Sequence, residues 1–196
     1  MLGLPAATTK CNMKILQEFK PSLFFLARFL GIYFAGNILY GVYIESFGDQ
    51  PDPITHYVTR QTSAALNMTN AGTSAVVNTQ GPTVFIENPE RIVLNIFEGC
   101  NGVNVMIVFV AFMVAFGGPV KKMLWFIPAG LLLVHLFNIG RIALLYYTDL
   151  YYEEWFYYFH KYLFTAILYI VVFALWAVWI IKIVQKRTND AVDVHS

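Results

Sequence analysis

Three side chains in this sequence have the types needed for thiol chemistry: Cys100, Arg141 and His160. Cys100 lies within Glu98-Gly99-Cys100-Asn101-Gly102, Arg141 closes Asn138-Ile139-Gly140-Arg141, and His160 follows Tyr157-Tyr158-Phe159. The thiolate, not the thiol, is the nucleophile. A nearby cation lowers the thiol pKa, and an imidazole can take the proton and return it. Together the three residues would suit attack on a carbonyl. Each also has a purely structural use. A buried cysteine is a small apolar filler, and an arginine near a helix end can snorkel to a membrane interface. His160, beside Lys161, can sit at that interface with no chemical role.

The elements that would have to position them are membrane helices. Of 196 residues, 58% are hydrophobic, 17% aromatic and only 13% charged, against roughly 25% charged in ordinary soluble domains. The apolar residues gather in four blocks, 20–44, 100–118, 123–147 and 160–184, each near the length of about 20 residues that crosses a bilayer. The first block is too long for a signal-peptide core and no small-x-small cleavage site follows it cleanly, so it is expected to be retained. Tyrosine and tryptophan crowd the block ends, as at Tyr146, Tyr147, Tyr151, Tyr152 and Trp155, where rings with one polar edge favour the interface. The expectation is an all-α integral membrane protein, one domain over residues 1–196, with about four transmembrane helices. A formal net charge of +1 gives no basic excess for nucleic acid.

Loop charges set the orientation. Lys10, Lys14 and Lys20 precede the first block, Lys121 and Lys122 lie between the second and third, and Lys182, Lys186 and Arg187 mark the C-terminal tail, residues 185–196. The other two loops are acidic, with Glu45, Asp49, Asp52, Glu87, Glu90 and Glu98 in one and Asp149, Glu153 and Glu154 in the other. The positive-inside rule then makes both termini cytoplasmic and the acidic loops external. Cys11 and Cys100 fall on opposite sides and are not expected to form a disulfide.

The long outer loop, residues 45–99, is roughly 55 residues. Asp52-Pro53 reads as an N-cap followed by proline at the first helical position, opening a short helix to about Asn67. The stretch TNAGTSAVVNTQGP reads as a flexible connector. TVFI and RIVLNIF flank ENPE as a β-hairpin whose second strand runs into Cys100.

Depth then ties the three residues together. With the third block entering near Met123, Arg141 lies roughly 27 Å higher at 1.5 Å per residue, near the outer boundary. Cys100 and His160 open blocks that descend from that same boundary. A charged side chain at a helix centre costs about 2.5–3.5 kcal/mol on insertion scales, so such residues carry information. Asn138, three residues before Arg141, is placed to orient its guanidinium. Glu98 is either a partner for Arg141 or substrate, or a solvated loop carboxylate. Asn104 and His135 read as interhelical packing residues.

In order and spacing, EGCNG, then NIGR, then a histidine opening the next apolar block resemble the exosortase/archaeosortase family of envelope membrane proteins. The resemblance covers about residues 97–183. It implies a cysteine mechanism like that of sortases with Cys100, Arg141 and His160 as its cysteine, arginine and histidine. It further implies a bacterial inner-membrane location with the site facing the periplasm. The implied partners are protein substrates whose C-termini carry a short motif, a transmembrane helix and a basic tail, with a dedicated membrane partner also conceivable. Larger members have more spans than fit here, and in that the chain resembles the short exosortase F subgroup of Bacteroidetes. Asn101 stands where serine or alanine commonly follows the cysteine, which leaves local hydrogen bonding open.

Neither a cofactor nor a metal is expected. Cys100, His160 and His135 offer at most three ligands at mismatched depths, where structural zinc takes four. No Gly-x-Ser-x-Gly occurs and no aspartate lies within a block. The alternative from another class is a non-enzymatic membrane assembly or partner module, in which Cys100 only packs.

Overall fold

The computed structural model describes residues 7–185, with the side chains of residues 7–18, 164 and 183–185 excluded. The Cys11 side chain and the tail carrying Lys186 and Arg187 therefore lie outside the described residues. Helix α1 runs Ala7–Glu45 through an internal Pro21, α3 Val103–Phe116, α4 Val120–Tyr151 through Pro128, and α6 Phe164–Val178. Between α1 and α3 lie helix α2, Pro53–Asn67, and strands β1 Ser74–Val77, β2 Val84–Glu87 and β3 Ile92–Ile96. Three segments are long and apolar enough to cross a membrane: Phe19–Glu45, Val120–Tyr151 and Glu153–Lys182. The chain is a mostly helical membrane protein.

The second and fourth apolar blocks depart from uninterrupted spans. Residues 98–100 form a single 3-10 turn, and α3 starts only at Val103 because Gly102 takes φ +84, a left-handed backbone that interrupts the helical register. At 14 residues, α3 is about 21 Å long, shorter than the roughly 30 Å hydrocarbon core. The fourth block opens with a 3-10 turn at Glu153–Trp155 and the short helix α5, Phe156–Tyr158. A π-helix, Phe159–Leu163, then leads into α6, and a second, Trp179–Gln185, follows it.

Helix α3 is apolar on all sides and packs against α1, α4 and α6, as a helix without a polar face must. Phe112 lies edge-on to Phe25 of α1 and stacks on Trp176 of α6 with ring centroids 4.0 Å apart. Phe109, Met113, Val134, Val172 and Trp179 form the core at the end of the molecule that carries Lys121 and Lys122. Here Gly130 of α4 meets the Phe109 ring so closely that a Cβ would lie 2.4 Å from it. Large apolar side chains cover the outward faces, including Phe24, Phe34 and Leu39 of α1, Leu124, Trp125 and Leu136 of α4, and Ile170 and Phe173 of α6. So much exposed apolar surface suits lipid contact.

The opposite end carries a mixed cap. Asp52 caps α2, its Oδ1 accepting from the amides of Ile54 and Thr55 at 2.9 and 3.0 Å, with Pro53 first in the helix. Strands β2 and β3 form an antiparallel hairpin across Asn88, whose Oδ1 accepts from the amides of Glu90 and Arg91. Beyond the expected hairpin the sheet has a third strand, in the order β1-β2-β3. One correction follows: the Ser/Thr/Asn-rich stretch is not a flexible connector, because it contains β1, paired with β2. The reason is that its polar groups are used internally. Asn67 both accepts from the Thr73 amide at 2.6 Å and donates to the Thr73 carbonyl at 2.8 Å, and the Ser63 hydroxyl donates to that carbonyl at 3.0 Å. Val58, Leu66, Ile86, Leu94, Ile96, Ile142 and Leu145 build the core beneath, and Cys100 belongs to it.

Candidate active site

The 3-10 turn that ends in Cys100 is closed by its amide, which donates to the Phe97 carbonyl at 2.8 Å. The turn presents the thiol sideways, into the space between β3 and α4, before α3 begins. Cys100 is 4% exposed and lines a cleft of about 250 Å³ together with Asn95, Phe97, Leu145, Asp149 and His160. The nucleophile candidate and the imidazole candidate thus share one cavity. His160 reaches it from the π-helical turn, a widened geometry that recurs at functional positions. Its ring stacks on Phe156 at 5.8 Å and an interplanar angle of 10°.

Asn138 links the other two. Its Nδ2 donates to the Cys100 carbonyl at 3.0 Å, and its Oδ1 accepts from Arg141 Nη1 at 3.4 Å. The residue is fully buried. It therefore fixes the main chain of the cysteine and the direction of the guanidinium at once. The glycine after Asn101 is required here. A Cβ on Gly102 would lie 3.0 Å from the Asn138 side chain, at a φ that side chains rarely adopt. Arg141 is 9% exposed, and its Nε is buried without a hydrogen-bond partner. A buried cation with so few bonds has unspent donor capacity and is costly unless an anion meets it.

The charges around the thiol oppose one another. Burial pushes the Cys100 thiol above its ordinary value, the Arg141 guanidinium and a backbone hydrogen bond from Phe97 draw it down, and Glu98 adds a smaller upward push. At rest the thiol keeps its proton, so a base must remove it. Glu98, half-buried, forms no ion pair with Arg141 among the described residues, where the one salt bridge joins Arg91 to Asp149 at 2.7 Å.

Asn101 is the residue whose part the sequence left open. It is 1% exposed; its Nδ2 donates to Tyr40 of α1 at 2.6 Å and to Thr55 of α2 at 2.9 Å, and its Oδ1 accepts from the Val103 amide at 3.0 Å. One amide thus joins α1, the cap and the start of α3 directly beside the cysteine. A smaller side chain could not span these partners. The Asn104 side chain, by contrast, is exposed and makes no hydrogen bond among the described residues, so the interhelical role expected of it falls to Asn101. His135 does connect elements, with Nε2 2.6 Å from Gln61 Oε1 of α2. Among the described residues no group of three His, Cys, Asp or Glu side chains is arranged to hold a metal.

A second concavity adjoins the site from the apolar side. Leu133, Leu136, Phe137, Gly140, Leu144 and Ile167 line a groove of about 540 Å³ between α4 and α6, with Arg141 at its wall. Arg141 therefore borders an apolar groove while acting electrostatically on the thiol.

Comparison with known families gives a match. The family described as Transmembrane exosortase matches residues 20–177, well over half of the chain. No curated protein and no solved structure matches.

Proposed function

The chain belongs to the transmembrane exosortase family, and from that premise we propose that it is a cysteine transpeptidase or protease acting on exported proteins held by C-terminal sorting signals. Cys100 is the nucleophile. His160 takes the thiol proton, and the sulfur attacks a backbone carbonyl of the substrate. Arg141 steadies the thiolate and then the oxyanion, the kind of preorganised donor that lowers such barriers most. Asn138 positions both. The carbon–nitrogen bond breaks as His160 returns its proton to the leaving amine, leaving a thioester on Cys100. An amine or hydroxyl acceptor resolves it by transfer, or water by hydrolysis. Glu98 is at most a substrate contact.

The observation that carries this reading is the shared cleft of Cys100 and His160, with Arg141 tied to Cys100 through Asn138. The apolar groove beside Arg141 suits the transmembrane helix of a substrate with a short motif and a basic tail. In this reading α3 is a fourth, short span, and the protein lies in a bacterial inner membrane. Both termini are cytoplasmic and the site faces the periplasm. Its size groups it with the short exosortase F members. One observation favours a second reading. Cys100 is almost fully buried and its thiol is pushed up, as in a cysteine that merely packs within a membrane assembly module.

Replacement of Cys100 by alanine in the native host separates the two. The transpeptidase reading expects uncleaved precursors with a motif, a hydrophobic span and a basic tail to accumulate while the variant stays at normal level. Unaltered processing would leave the packing module.

A further inference from the structure

The sheet of the cap has a free edge, and that edge faces the chemistry. The strand order β1-β2-β3 leaves β3 paired on one side only. The Asn78 amide donates to the Thr83 carbonyl at 3.0 Å, which sets which residues of β2 turn toward β1. Phe85 does so, while Val84 and Ile86 turn toward β3. Their partners are Ile96 and Leu94, whose main-chain groups are taken up by the ladder. Those of Asn95 therefore project from the open side, while Val93 is the extra residue of a bulge opposite Ile86 and Glu87. Among the described residues no main-chain hydrogen bond outside the ladder engages residues 92–96.

The cleft that holds Cys100 is lined by five consecutive residues, Val93 to Phe97. A sheet face would present every second residue, since side chains alternate; an edge presents all of them. The unpaired edge thus opens into the cavity of the thiol and the imidazole. Unprotected edges invite added strands, and natural proteins normally block them. Here the Arg91–Asp149 ion pair fastens one end to α4, and the cleft of Cys100 lies along the rest.

We propose that the free edge of β3 takes an extended segment of the substrate polypeptide as a short fourth strand, paired across Asn95, and so brings its scissile carbonyl to Cys100. This deepens the transpeptidase reading and rests on it. Main-chain pairing would supply affinity without demanding a sequence, and the side chains facing the cleft would select the motif. The occupant is an extended segment because the cleft ends at a nucleophile that must meet a backbone carbonyl.

The test uses Asn95→Pro and Asn95→Ala in the native host, read on the precursors that accumulate with Cys100→Ala. Proline removes an edge-directed amide and no ladder bond, a position where strands tolerate it. Processing is expected to fall roughly tenfold or more with Asn95→Pro and by clearly less with Asn95→Ala, which trims a cleft side chain but keeps the edge amide. Normal processing by Asn95→Pro, or an equal loss with Asn95→Ala, overturns the edge proposal alone. A Cys100→Ala chain that accumulates nothing overturns the transpeptidase reading and this proposal with it. Should Asn95→Pro fail to accumulate, a proline scan through one cleaved precursor decides. Sensitivity at alternate positions before the cleavage point supports strand pairing, and sensitivity without that period overturns it. The other conceivable occupant is a second copy of the chain. In that case Asn95→Pro would split a detergent-solubilised dimer and leave processing intact, which also overturns the proposal.

Discussion

The two cores of this protein are built on opposite terms. At the basic end, Phe109, Met113, Val134, Val172 and Trp179 interlock with one side chain to main chain hydrogen bond among them, from Trp179 Nε1 to the Gly117 carbonyl at 3.0 Å. At the cap end, Cys100 sits among Asn101, Asn138 and Arg141, all buried; Asn138 bonds the Cys100 carbonyl and Arg141, and Asn101 bonds Tyr40 and Thr55. Lipid tails are as apolar as leucine, so helices associate through close packing and polar bonds rather than by the hydrophobic effect. The first core relies on packing with that single hydrogen bond and is suited to holding shape. The second contains an arginine with unspent donors and a thiol next to a cavity. It gives up packing for groups that can respond to a ligand, which is the expected mark of a site.

This contrast predicts that substitutions at the two ends fail in different ways. The largest effect belongs to Cys100→Ala. Processing should fall by at least about a thousandfold, as loss of a covalent nucleophile does elsewhere, with protein level and thermal midpoint preserved. Next comes Arg141→Gln, expected to slow processing by about 10²–10³, the loss seen when one oxyanion donor is removed. Arg141→Lys should recover little of it, because an ammonium lacks the planar fork. Full activity in Arg141→Gln would reduce the arginine to a structural residue.

At the basic end, Trp179→Ala should lower stability by roughly 3–5 kcal/mol through cavity formation. Protein that remains folded in detergent should process substrate at the normal rate. A fall in rate at equal folded amount would erase the distinction between the cores. Gly102→Ala belongs to both. It should cost about 1–3 kcal/mol of strain and displace Asn138, so stability and processing should fall together.

The smallest effect is in pH dependence. Burial holds the Cys100 thiol up and Arg141 holds it down, so alkylation by iodoacetamide should rise with pH, half-maximal above the ordinary thiol value. Removing the guanidinium takes away a downward influence. The profile of Arg141→Gln should therefore move further toward alkaline pH, and a move toward acid would contradict the assigned coupling.

How far the sequence reveals this site depends on the distance over which each residue finds its partners. The cap of α2 was legible in Asp52-Pro53, and the hairpin in the Asn-Pro turn between two β-rich runs, because both arise within a few residues. The proximity of Cys100, Arg141 and His160 followed from helical rise along apolar blocks. Strand β1 was not legible. Its order depends on Asn67 and Ser63 reaching Thr73, and composition alone reads those same residues as loop. Asn101 was seen only as an unusual neighbour of the cysteine, since Tyr40 and Thr55 lie 61 and 46 positions away. The only hint was an amide placed at the mouth of an apolar block, where a buried polar group needs partners.

In this mechanism the Cys100 sulfur becomes covalently bound to substrate. Thioesters are cleaved by hydroxylamine, so the most direct measurement is to add hydroxylamine to membranes of the native host during processing and analyse the released proteins by mass spectrometry. The wild-type chain should yield substrate ending in a hydroxamate at the cleavage point, and Cys100→Ala none. Continued processing with no hydroxamate in the wild type would contradict the mechanism.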